Sequence, residues 1–141
     1  MEPEIINNNM VNRKKMIKTK NTIIQIGKIT PKVAVILDVV PVDSPILLSE
    51  STINHIQNRH PKDYARYGKY IAKIINTPDY VGLRPTDGTV VYVKEFTFEN
   101  ENVKLAVRAT KKGVLFVRSL YVITESRLDN YLKKGTVKVL T

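Results

Sequence analysis

The only two histidines of this 141-residue chain fall within one six-residue run, His55-Ile56-Gln57-Asn58-Arg59-His60, with an arginine between them. Histidine is the side chain whose unperturbed proton affinity lies nearest neutrality, so a pair beside a fixed cation can pass protons in either direction. The chain around them is strongly basic, with 23 Lys and Arg against 13 Asp and Glu and a formal net charge of +10. Histidines on a cationic domain suit phosphodiester chemistry on a polyanion, RNA foremost. Cleaving RNA without a metal needs a base for the 2′-hydroxyl, an acid for the leaving 5′-oxygen and donors at the phosphate.

Each of those parts has a candidate. On helical spacing Thr52, His55 and Arg59 share one face, while Ile53, Ile56 and His60 share another. His55 and Arg59 are thus i,i+4 neighbours, where the imidazole can take a proton while the guanidinium grips a phosphate oxygen. His60 joins the isoleucine face unless Pro61 releases it from the helix. Later in the chain Lys94 and Arg108 offer cations, and Ser119 and Tyr121 offer two hydroxyls on one side of a strand, with Arg118 on the other. Each of these strand residues also fits an ordinary solvated or core position. There is no cysteine and no third histidine, and the two imidazoles stand five apart instead of three or four. No metal or other cofactor is therefore expected.

The elements that must position these groups can be read from local pattern. Residues 22–30 and 33–40 are rich in β-branched side chains and split by Pro31, so they are predicted as short strands or one interrupted ribbon. Pro41 and Pro45 bracket a loop. Ser49 or Ser51 can cap a short helix that Pro61 stops. A second helix is predicted from about Lys62 to Asn76, with Tyr67, Ile71, Ile74 and Ile75 as its apolar stripe and Pro78 beyond its end.

From Asp79 the pattern changes to strands over 80–83, 89–98, 103–110 and 114–123, separated by turns at Asp87-Gly88, 99–102 and Lys111-Lys112-Gly113. Val103, Leu105, Val107 and Ala109 share one strand face, and Lys104, Ala106, Arg108 and Thr110 share the other, leaving one face for the core and one for a substrate. Thr124 or Ser126 can start a last helix to Lys134, closed by Gly135, with a terminal strand over 136–140. The expected fold class is α+β, with N-terminal helices packed on a curved antiparallel sheet of about four strands and a C-terminal helix.

Length and composition bound the rest. A chain of this size with 43% hydrophobic residues supports one domain with its own core. Residues 1–32 carry seven basic and two acidic side chains, densest at Arg13, Lys14, Lys15, Lys18 and Lys20. Residues 1–21 therefore read as a basic, flexible arm that adds electrostatic affinity, ahead of a domain over 22–141. No apolar run approaches the ~20 residues that a membrane span requires, and the first residues lack a signal-peptide pattern, so the expected address is the cytoplasm and no membrane partner is expected.

Three stretches together resemble a known family. Ile46-Leu-Leu-Ser-Glu-Ser-Thr-Ile-Asn-His-Ile-Gln-Asn-Arg-His-Pro, then Ile74-Ile-Asn-Thr-Pro-Asp-Tyr-Val, then Val117-Arg-Ser-Leu-Tyr, look like the phage and mobile-element nuclease domains of the barnase, EndoU, colicin and RelE-like fold. The resemblance covers roughly residues 30–140. It implies a helical half packed on a four-stranded antiparallel sheet, and a metal-independent ribonuclease whose acid/base histidine comes from the helix. Carried onto this chain, it favours His55 and His60, with Arg59 beside them and Lys94, Arg108, Ser119 and Tyr121 on the sheet. The implied partners are RNA, tRNA or another structured RNA among them, and a protein inhibitor or immunity partner for a toxin or phage factor.

A fold alone does not fix a reaction. Beside a ribonuclease that leaves a 2′,3′-cyclic phosphate stands a non-catalytic RNA- or DNA-binding module, in which the same groove binds phosphates and the histidines pack. A basic structural protein of a mobile element is the third reading.

Overall fold

The computed structural model describes residues 21–140. The basic cluster from Arg13 to Lys20, expected as an arm, lies outside the described residues. At their start, the Asn21 side chain accepts the Ser51 backbone N–H at 2.9 Å.

The first strand, β1 (Ile23–Lys28), is followed by helix α1 (Pro31–Leu37). This corrects the strand expected over 33–40. Thr30 caps the helix by accepting the Val33 N–H, Pro31 supplies a pre-set first-turn φ, and Val33 and Leu37 bury one i,i+4 face. Capping and burial together outweigh the β-branched bias of Val33, Val35 and Ile36.

A second correction concerns β2 (Pro45–Ser49), which is a strand where no element was expected after the 41–45 loop. It leads directly into α2 (Glu50–Arg59), where the Ser49 hydroxyl accepts the Thr52 N–H, Glu50 favours the helix start and Arg59 its end. His60 closes α2 and opens α3 (Pro61–Tyr67), so the chain turns a corner at that histidine. A 3₁₀ turn at Gly68–Tyr70 breaks the helix predicted over 62–76, and α4 (Ile71–Asn76) completes it. The predicted stripe of Tyr67, Ile71, Ile74 and Ile75 is buried.

The next strands are β3 (Tyr80–Leu83), β4 (Val90–Phe96), β5 (Glu101–Ala109) and β6 (Leu115–Ile123), then helix α5 (Glu125–Lys134) and the short β7 (Lys138–Val139). The sheet has seven strands, not about four, in the order β1-β2-β6-β5-β4-β3-β7. Its middle, β3 to β6, is the antiparallel meander that the alternation predicts. The β1–β2 pair extends one edge and β7 the other, and β2 meets β6 in parallel over Ile46–Leu115 and Leu47–Phe116 alone. Such a brief non-local pairing leaves no periodic trace in the sequence.

The sheet separates two apolar clusters. On one face α1, α2, α3 and α4 cover Tyr92, Val103, Leu105, Val107, Val117 and Leu120. On the other, Leu128 of α5 packs with Val91, Val93, Ile123 and Val137. The C-terminal helix thus lies across the sheet from the rest of the helical layer. Among the described residues no helix is long and apolar enough to cross a membrane.

Candidate active site

Strand β6 does not alternate evenly. Ala106 of β5 pairs with Ser119, but its neighbour Val107 pairs with Val117, so Arg118 is an extra residue without a partner across the ladder. A bulge of this kind shifts the side-chain period by one and re-aims the side chains beyond it. Val117 points into the main core, whereas Ser119 and Tyr121 emerge on the α5 face. Paired without a bulge, the same sequence would put Val117, Ser119 and Tyr121 on one side by strict alternation.

Opposite this bulged strand stands the α2 corner. Ile56, fully buried, anchors α2 to the core and leaves His55 and Arg59 exposed on its outer face. His60, one turn after Ile56, is half-buried, and its ring stacks on Tyr121 with centroids 4.7 Å apart and planes 19° from parallel. The corner is held down a few residues further on: Asp63, in the first turn of α3, accepts the Val122 backbone N–H at 3.0 Å. The charged partner makes this a stronger bond than a neutral one, and it ties α3 to the strand that carries Tyr121.

Between these elements lies a cleft of about 600 Å³, walled by His55, Ile56, Arg59 and His60 on one side and by Ser119, Tyr121, Val122 and Ile123 on the other. Thr124 and Arg127, from the cap and first turn of α5, close its end. Thr124 accepts the Arg127 N–H, so the helix start delivers that guanidinium to the end of β6. Among the described residues, two histidines, two arginines and three hydroxyl side chains line the cleft, and no carboxylate does. An anion entering it would find donors and no opposing negative charge, while general base capacity rests with the imidazoles.

Behind Tyr121 lies Lys104, only 4% exposed. Its ammonium donates to the hydroxyls of Tyr121 and Tyr131, at 3.0 Å each. It also sits over both rings, at 5.2 and 5.3 Å from their centroids. Burial pushes the Tyr131 phenol up, but hydrogen bonds from Lys104 and Arg127, with their charges, outweigh it and hold the group below its ordinary value. The same contact with Tyr131 raises Arg127, which stays charged.

Of the residues singled out in the sequence, the fold brings His55, Arg59, His60, Ser119 and Tyr121 together in this cleft. It does not bring Lys94 there. The β4 alternation places Lys94 with Tyr92 and Phe96 on the helical-layer face, and its ammonium donates to the Thr77 carbonyl. Arg108 lies beyond Ser119, where its guanidinium donates to Asp87 at 3.0 Å and to Thr89 at 3.3 Å. Asp87 also takes two bonds from Arg84, which, ahead of those from Thr89, hold its carboxyl far below the usual range. Sequence reasoning missed Arg127, Thr124 as a lining residue, and the Lys104–Tyr131 pair. The visible signals were a capped helix starting directly after the Ser119–Tyr121 strand and one lysine inside the apolar run Val103–Val107.

A family model described as phage-Barnase-EndoU-ColicinE5/D-RelE like nuclease3 matches residues 24–130. The chain belongs to this nuclease family. The match spans α2, the meander and α5 as far as Asn130, and so includes every residue of the cleft. Among curated proteins and among solved structures, none matches the chain.

Proposed function

We propose that this member of the nuclease family is a metal-independent endoribonuclease that works by 2′-hydroxyl attack. The observation that carries the reading is the joining of both histidines with Arg59, Arg127, Ser119 and Tyr121 in one cleft free of carboxylates. One imidazole takes the proton of the 2′-hydroxyl as its oxygen bonds to phosphorus. The other imidazole, protonated, gives a proton to the 5′-oxygen as the P–O5′ bond breaks, which leaves a 2′,3′-cyclic phosphate and a free 5′-hydroxyl. The guanidiniums and hydroxyls hold the non-bridging oxygens as charge gathers on them. No step is routed through a metal, and among the described residues no three His, Asp or Glu side chains are grouped to hold one.

The partner is RNA, and an open cleft of this size admits a looped or single-stranded segment of a structured RNA, tRNA included. Acting in the cytoplasm as a phage or mobile-element toxin or effector, such an enzyme needs a protein inhibitor or immunity partner in the cell that makes it.

The test removes the nucleophile from the substrate. Structured RNA, the same RNA with 2′-O-methyl sugars and DNA of the same sequence are each incubated with the chain and run on a gel. The expected result is cleavage of the unmodified RNA alone, with the 2′-O-methyl form retarded but intact. Cleavage of either analogue would overturn attack by the 2′-hydroxyl. Retardation of all three with no cleavage would establish the alternative, a binding module.

A further inference from the structure

Lys104 is a buried cation whose hydrogen-bond partners are two phenols, with no carboxylate among them. Burying a charge without an opposite charge is costly, and a residue placed only to pack would not incur that cost. Its chemistry also has a direction. An ammonium can only donate, and a phenol has one proton to give and two lone pairs to offer. Each bond from Lys104 therefore fills one lone pair of its tyrosine and leaves that tyrosine's own proton free to point elsewhere. Tyr131 lies against Arg127, whereas Tyr121 lines the cleft.

We propose that Lys104 is a positioning residue that orients the Tyr121 hydroxyl as a proton-forward donor into the cleft. This rests on the ribonuclease reading above. A phenol already accepting from a cation is also a stronger donor, because its O–H is polarised along the chain of bonds. Fixing the Tyr121 ring braces a second part of the site, since His60 stacks on that ring. Lys104 does not line the cleft, so it acts through Tyr121 and never touches the phosphate.

A double-mutant cycle tests this, with RNA cleavage as the readout and kcat and KM measured separately. Lys104→Met, close in volume and unable to donate, should lower kcat by about tenfold to a hundredfold, less than the roughly 10²–10³-fold of removing an oriented donor outright because the Tyr121 hydroxyl remains, with KM nearly unchanged. In a Tyr121→Phe background the same substitution should add less than about threefold, because the group it acts through is gone. Lys104→Gln keeps two N–H donors without the charge and should recover part of the lost kcat; it also serves if the Met variant fails to fold. Equal losses from Lys104 substitution with and without the Tyr121 hydroxyl would overturn the positioning role while leaving the ribonuclease intact. A wild-type chain that binds RNA but cleaves none would overturn the ribonuclease reading itself, and this proposal with it.

Discussion

The two walls of the cleft are built in opposite ways. The α2 wall is local: His55, Arg59 and His60 lie within six residues, on a helix with a Ser49 cap at one end and Pro61 after its last turn. The β6 wall is non-local. It depends on an extra residue defined only by the partner strand, on a buried lysine from β5 and on an arginine from the next helix. One wall supplies the two imidazoles and Arg59, and the other supplies donors held by long-range structure. A cleft can thus show one wall in a short motif and hide the other, whose donors only the assembled fold brings together.

The sharpest way to break this contrast is to remove the bulge. Deleting Arg118 leaves Ala106–Ser119 and Val107–Val117 as consecutive pairs on unchanged faces, but removes the local kink and added twist with which the bulge aims Ser119 and Tyr121 at the α2 corner. The expected outcome is a chain that still folds but cleaves about 10²-fold more slowly, the cost of slightly misplaced groups. Arg118→Ala, which keeps the residue count at this exposed position, should change stability by no more than about 0.5 kcal/mol. Similar behaviour of the deletion and the substitution would show that the bulge does not aim the wall.

A smaller effect is expected where the walls are tied together. Asp63→Ala removes the acceptor of the Val122 N–H at the junction of α3 and β6 and should cost about 1.5–3 kcal/mol, measured from the urea midpoint. It should also lower cleavage beyond what the stability change explains, because the His60 corner is freed from the strand carrying Tyr121. A stability loss with unaltered cleavage in the folded protein would confine Asp63 to scaffolding. Smallest of all is Ser49→Ala. It removes the cap of α2 and should cost about 1 kcal/mol while leaving the folded enzyme's rate unchanged, since Ile56 still anchors the helix.

The same contrast explains what could be read in the sequence. Caps and breakers act within a few residues, so Ser49, Pro61, Thr124 and Gly135 marked the ends of α2 and α5 closely. The meander was legible because β3 to β6 alternate and are joined by turns, such as those at Gly88 and Gly113, whose positive φ glycine tolerates. Residues 33–40 were misread because β-branched composition spoke for a strand, while Thr30 and Pro31, just upstream, started a helix. Lys94 and Arg108 illustrate the remaining gap. Which face a strand residue takes, and which carboxylate or carbonyl holds it there, depends on register and on distant partners such as Thr77 and Asp87. Arg127 was missed for the converse reason: its helix was read correctly, but the proximity of its first turn to Ser119 and Tyr121 is a property of the assembled fold.

The decisive experiment incubates the purified chain with total RNA in EDTA, beside His55→Ala, His60→Ala and the double variant, with fragment ends analysed. The wild type should give fragments with 2′,3′-cyclic ends, and each single substitution should lower the rate about 10²–10⁴-fold, the contribution of a positioned proton-transfer group, with RNA binding retained. Cleavage that stops in EDTA, or that survives both substitutions together, would contradict the proposed mechanism.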